Sequence, residues 1–337
     1  MALGALNVDL IQAGESGSVQ EEVRDSETLA TPAEIWDQIR ARNLSYEAFL
    51  GGSAFLTITM MAQLQRPGVR LGMIGVSADA PTGPTETHRA RLARLHIDDL
   101  TARSSGVPGL CGAWPSPSGR ILRTTPLANL EIVSHLKKAE IVAAAAGADI
   151  LHATSLLEDP YAAGPTPVAD SVAEFIRRVR AASPGILISF DPGDTWVVLK
   201  DTAAIRYLLR EANLLFLNDE ECEKLTGAHG DAASELRSLH ELCPNGTMIV
   251  RKYVDRVLVQ RSTEEDSVCV PKPAATTVID PTGAGDALAA GVLTALAEGR
   301  GIAQGCDLGM RIAQHRIADY GDRGLTDLLA QLGSVWE

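Results

Sequence analysis

A chain of 337 residues can hold one large domain with an appendage, or two domains. Its 45% hydrophobic and 22% charged residues match a globular protein with a sizeable core, and its formal net charge of −13 disfavours nucleic acid or an anionic membrane as the main partner. The apolar stretch 141–148 is far too short to span a bilayer, the start shows no basic leader, and five dispersed cysteines read as reduced thiols, so the expected location is cytoplasmic.

Residues 2–11 form an apolar run broken by Asn7 and Asp9, which reads as a first strand. Residues 12–30 are polar and carry few core signals. Thr31-Pro32-Ala33-Glu34 is a capping box with proline at the first helical position, and Ile35, Trp36 and Ile39 give that helix an apolar face. Gly51-Gly52-Ser53 leads into an apolar helix at 54–64. A strand follows at 70–76, an amphipathic helix at 87–95, and a hairpin from 109–114 and 121–124. Residues 131–146 read as one helix and 149–152 as a short strand, while Val172, Phe175, Ile176 and Val179 stand at helical spacing.

Residues 186–190 are a continuous apolar strand of the kind buried in parallel sheets, ending in Asp191-Pro192-Gly193-Asp194. The strand 214–217 ends at Asn218, which with Glu221 makes an N-cap box for a short helix closed by Gly227. Strands 248–250 and 256–260 form a hairpin with Lys252 and Asp255 near its turn, and 302–317 and 325–332 are helical. Strands alternate with helices, so the fold class is α/β, with a parallel sheet covered on both faces and ligands beyond the carboxyl ends of the strands.

Asp280-Pro281-Thr282-Gly283-Ala284-Gly285-Asp286 follows a strand-like run and opens a small-residue helix at 287–298. Two glycines at a helix start let backbone N–H groups approach an anion, which the helix dipole also favours. A carboxylate in the same turn can take a proton from a neighbouring hydroxyl. Those are the parts that phosphoryl transfer to an alcohol needs. The bland alternative makes Thr282 an N-cap and Asp286 a complement to the dipole.

The full string resembles the C-terminal signature of the ribokinase (PfkB) family of small-molecule kinases, with Pro281 where the family usually has Thr. The resemblance runs over essentially the whole chain. It implies a ribokinase-like fold: a mostly parallel central sheet, helices on both faces and a small lid. Residues 1–337 would form one kinase domain with lid segments roughly at 11–50 and 104–126. The helix ahead of Gly51-Gly52 is similar to the adenosine-kinase branch.

The resemblance also implies roles. Asp286 would be the catalytic base, and the backbone of Gly283, Ala284 and Gly285 the anion hole. Asp9, Gly51 and Gly52 would bind the acceptor. Asn218, Glu221 and Lys252 would lie by ATP, with Glu221 reaching Mg2+ through water and Asp280 near a monovalent-cation region. Two positions depart from the pattern. Leu56 stands where the family has an Asn for a sugar hydroxyl, and a Leu side chain makes no hydrogen bonds. Gly193 replaces an Asn near the phosphates, which leaves Asp194 as a cation ligand there.

The implied activity is ATP-dependent phosphorylation of a hydroxymethyl group on a sugar. An adenosine-like nucleoside is the alternative acceptor, and a catalytically retired ligand-binding regulator is the rival from another class. Monomer and homodimer both stay open. The sequence has no Walker-A string, no Gly-x-Gly-x-x-Gly after the first strand, no Gly-x-Ser-x-Gly elbow and no metal-spaced histidines, so His152 and His315 read as structural.

Overall fold

Side-chain alternation along the strands builds two cores from one sheet. In the strand Leu214–Asn218, Leu214 and Phe216 enter one apolar cluster, and Leu215 and Leu217 enter the other. Ala2 and Leu3 divide in the same way, as do Met73 and Ile74. Successive residues of a strand face opposite sides, so a sheet covered on both faces needs apolar residues at every position. The computed structural model describes residues 1–12, 24–41, 45–78, 84, 86–116, 119–154, 156–159, 167–228, 232–253, 256–262, 267–271 and 277–336.

The large sheet has nine strands among the described residues. Its order is Ser267–Pro271, Arg256–Arg261, Met248–Lys252, Leu214–Asn218, Leu187–Asp191, Ile150–Thr154, Ala2–Leu3, Gly72–Ile74 and Asp98–Asp99. The first two pairings are antiparallel and the rest parallel. One face is covered by the helices Pro167–Ala182 and Ala203–Glu211, the other by Ser53–Gln63, Ala284–Ala297 and Ile302–Arg316. This is the covered α/β sheet expected from the alternation of elements.

A second, five-stranded sheet runs in the order Arg24–Leu29, Gly119–Thr125, Gly109–Ser116, Asn7–Gln12 and Tyr46–Gly51. Val8 and Leu10 pack with Ile35 and Ile39 of the helix Pro32–Ala41, while Ile11 joins Phe49 and Ala113 on the other face. Asp9 therefore points away from that helix.

Several sequence expectations change here. The apolar run 2–11 is two strands in two sheets, because Ala2–Leu3 pairs with the core while Asn7–Gln12 pairs with Tyr46–Gly51 and Gly109–Ser116. The polar region 12–30 contains the edge strand Arg24–Leu29, whose single pairing requires no apolar alternation. The single helix expected at 131–146 is a 3-10 turn at Leu127–Glu131, a short helix at Ile132–His135 and a longer one at Ala139–Ala146. None of the five cysteines forms a disulfide among the described residues. No helix among the described residues is long and apolar enough to cross a membrane.

The helix that begins at Ala284 is fixed by backbone contact with its neighbour. A Cβ on Gly291 would lie 2.2 Å from Gly309 N, and one on Gly309 would lie 2.7 Å from Leu288 Cα. Gly309→Val must therefore push the helices apart. Overpacking of this kind costs about 1–3 kcal/mol, so the urea midpoint should fall with an unchanged m-value. An unshifted midpoint would contradict the close crossing.

Candidate active site

The loop 280–286 is tied down before it becomes a helix. The N–H groups of Ile279 and Asp280 donate to Ile317 O at 2.8 and 3.2 Å. Asp280, 3% exposed, accepts the Thr282 N–H on Oδ1 at 3.0 Å and the Gly321 N–H on Oδ2 at 3.0 Å. Arg316 Nη1 stands 3.3 Å from the same Oδ2. Gly283 then takes φ 80, a left-handed conformation that glycine adopts without Cβ strain, and caps the helix Ala284–Ala297. The N-cap is thus Gly283 rather than Thr282. The backbone ladder of the helix starts only when the Ala287 N–H donates to Gly283 O at 2.9 Å. A helix start presents N–H groups that this ladder does not use.

Asp286 lies in that first turn. Burial is the main cause that lifts its carboxyl to about 7, and the Asp191 charge adds to it. Lys252, Arg316 and a hydrogen bond from Ser53 oppose the rise. Thr57 Oγ1 donates to Asp286 O at 3.3 Å. Lys252 Nζ lies 3.5 Å from Asp191 Oδ2 and would lie 3.1 Å from a Cβ on Gly285. Burial lowers the Lys252 ammonium pKa, but Asp191, Glu221 and Asp286 together drive it upward.

Glu221 and Asn218 form the capping box read from the sequence. The Glu221 N–H donates to Asn218 Oδ1 at 2.8 Å, and the Asn218 N–H donates to Glu221 Oε2 at 2.7 Å. Burial also lifts Glu221 to about 7, with Lys252 opposing and Asp191 adding. Asp194, the candidate cation ligand, is 2.6 Å from Lys224 Nζ and so already holds a cation of the chain. Asp255 lies outside the described residues.

Asp9 enters from the five-stranded sheet. A Cβ on Gly51 would stand 2.1 Å from Asp9 Cγ, so glycine leaves the space that this carboxylate fills. Burial lifts Asp9 to about 7 against the attraction of Arg316, while the charges of Asp280 and Asp286 add to the rise. Gly52 has φ 107 and precedes the helix Ser53–Gln63. Leu56 of that helix is 6% exposed, and its Cδ1 would be 3.4 Å from a Cβ on Gly283.

Asp9, Glu221, Lys252, Asp280 and Asp286 are thus electrostatic neighbours in one cluster, joined by Asp191. Arg316 is not legible as a site residue in the sequence, because an arginine in the last turn of a helix ordinarily complements the dipole. Two cavities of about 1090 and 1270 Å³ lie elsewhere, and none of those six residues lines either.

A family model described as pfkB family carbohydrate kinase matches residues 111–327. The cytidine kinase of Thermococcus kodakarensis is 27% identical over 141 residues, 42% of this chain and 50% of the relative. The match thus spans half the length of that relative. Among solved structures, an adenosine kinase from Sinorhizobium meliloti superposes with a TM-score of 0.79 at 21% identity, covering 99% of this chain and 98% of the other. A probable sugar kinase from Rhizobium etli gives 0.78 at 18% identity, covering 98% and 96%. At such identities the likeness is one of fold.

The raised Asp286 pKa has a sign that can be checked. The folded state keeps this proton up to about pH 7, whereas the unfolded chain releases it near the ordinary value of 3.8. Between those values the folded state binds more protons, so this group makes stability fall as pH rises through that window. Asp286→Asn removes the effect. In the ligand-free protein it should be more stable than wild type at about pH 8, on the order of 2 kcal/mol, with the gap closing near about pH 4. Thermal melts at both pH values would show it, and no gain at the higher pH would refute the burial argument.

Proposed function

The chain belongs to the pfkB family of carbohydrate kinases, and we propose that it transfers the terminal phosphoryl group of ATP to a hydroxymethyl group of a sugar, residues 1–337 acting as one kinase unit with the five-stranded sheet as lid. The observation that carries this proposal is the meeting of Asp286 and Lys252 at the start of the helix Ala284–Ala297.

In this scheme Asp286 takes the proton from the acceptor hydroxyl as the oxygen attacks phosphorus. A carboxyl held at about 7 is a stronger base than an ordinary one and is about half ionised in neutral solution, which suits general-base work. The backbone of Gly283, Ala284 and Gly285 faces the transferring group, where N–H dipoles stabilise the charge developed in the transition state. Lys252 adds a fixed positive charge beside Gly285. Asp9, with Gly51 and Gly52 beside it, holds the hydroxyls of the acceptor.

The carboxylates of Glu221 and Asp191 are hard oxygen donors near Lys252, a set that fits magnesium. The described residues hold no group of three or more metal-ligating side chains, which suits an ion held largely by nucleotide phosphates and water. When bound, such an ion would neutralise charge on the nucleotide phosphates. Asn218 fixes the orientation of Glu221 through the capping box.

A nucleoside acceptor is the second reading. It is favoured by apolar Leu56 beside the cradle, by the helix Pro32–Ala41 on the second sheet, and by the relatives named for cytidine and adenosine. The retired-regulator alternative has less support, since a protein without turnover has no use for a buried base against an anion cradle.

An ATP-consumption assay over sugars, sugar phosphates and nucleosides separates the acceptor classes, and consumption with nucleosides alone would reject the sugar. With the acceptor found, Asp286→Asn should lower kcat about 10²- to 10⁴-fold while ATP still binds. The wild-type kcat/KM should rise with pH to a plateau above about 7, the value at which Asp286 becomes ionised. A variant as fast as wild type would refute the role of Asp286.

A further inference from the structure

Arg316 ends the helix Ile302–Arg316 and is 1% exposed. A guanidinium removed from water is costly unless its charge is answered. Asp280 answers it at 3.3 Å, and the charges of Asp9 and Asp286 are felt there as well. Arg316 Nε is buried and has no hydrogen-bond partner among the described residues. It would lie 3.1 Å from a Cβ on Gly283, the residue that caps the cradle helix. The cation thus sits beneath the loop, with one donor turned toward the cap.

The family resemblance puts a monovalent cation near Asp280, and the residues present do not fit one. Such an ion needs several oxygen ligands with open lone pairs. Both Asp280 oxygens already accept N–H donors, from Thr282 on one and from Gly321 and Arg316 on the other. An added ion would also meet the fixed guanidinium charge at close range.

We propose that Arg316 replaces a bound monovalent cation, holding the loop 280–286 in its anion-binding form so that phosphoryl transfer needs neither potassium nor sodium. This rests on the kinase function proposed above. Arg316 acts through Asp280 and Gly283 and is a positioning residue.

The test uses the full chain in KCl, NaCl or tetramethylammonium chloride at one ionic strength. Wild-type kcat should differ less than about twofold among the salts, because the built-in charge leaves no ion site to fill. Activation by KCl of about fivefold or more over tetramethylammonium would overturn the proposal. Arg316→Ala should lose about tenfold or more in kcat in tetramethylammonium, and should recover at least about threefold with KCl or guanidinium chloride. Wild-type kcat in that variant without added ion, or a loss that neither cation relieves, would overturn it.

If the alanine variant does not fold, Arg316→Gln takes its place under the same criteria. Melting of the ligand-free proteins supplies a readout independent of turnover. The wild-type midpoint should be equal in the three salts, whereas the variant should gain stability in KCl. A potassium-stabilised wild type would count against the proposal. Absence of turnover with every acceptor would sink the kinase function alone, because the melts still report on Arg316.

Discussion

Charge balance in a buried cluster is the constraint on which the rest depends. Asp9, Asp191, Glu221, Asp280 and Asp286 converge there against two cations, Lys252 and Arg316. Burial first, and neighbouring carboxylates after it, lift Asp9, Glu221 and Asp286 each to about 7. Lys252 sits among Asp191, Glu221 and Asp286, while Arg316 sits among Asp9, Asp280 and Asp286. Asp286 feels both cations. It is therefore poised near neutrality by its surroundings and not by any one partner.

The fold supplies these groups from separate elements that a parallel sheet brings to one edge. Asp191, Asn218 and Lys252 end adjacent strands, and the register pairs Asn218 with Lys252. Asp286 and Arg316 come from two helices whose glycines let them touch backbone to backbone. Asp9 arrives from the second sheet, whose alternation sends Val8 and Leu10 to its own small core. A shift of one residue in that strand would bury the carboxylate under the helix Pro32–Ala41 and leave the cluster without it.

Much of this was legible in the sequence where the physics is local. The capping box of Asn218 and Glu221 needs only four residues, and the glycine-flanked helix start at 283–286 only a few more. Strands such as Leu187–Asp191 announce themselves because both faces are buried. The edge strand Arg24–Leu29 did not, since its pairing partner lies about a hundred residues away in Gly119–Thr125. The split of residues 2–11 was hidden for a related reason, as both halves are apolar and only pairing distinguishes them. Arg316 was invisible because its partner, Asp280, meets it only after the helices pack. Asp194 likewise reads as a free carboxylate until Lys224 is brought within 2.6 Å.

The two halves of the cluster differ in how their chemistry is fixed. Around Gly283, geometry is set by backbone: a left-handed residue, a helix start, and a loop held at its start where Asp280 accepts the N–H groups of Thr282 and Gly321. Backbone arrangements of this kind tolerate changes of side chain, so Pro281 can stand in the loop without disturbing it. Around Leu56 geometry is set by a side chain, which presents a methyl group to Gly283 and makes no hydrogen bond. A buried methyl rewards apolar or aromatic contact and leaves a facing hydroxyl without a partner.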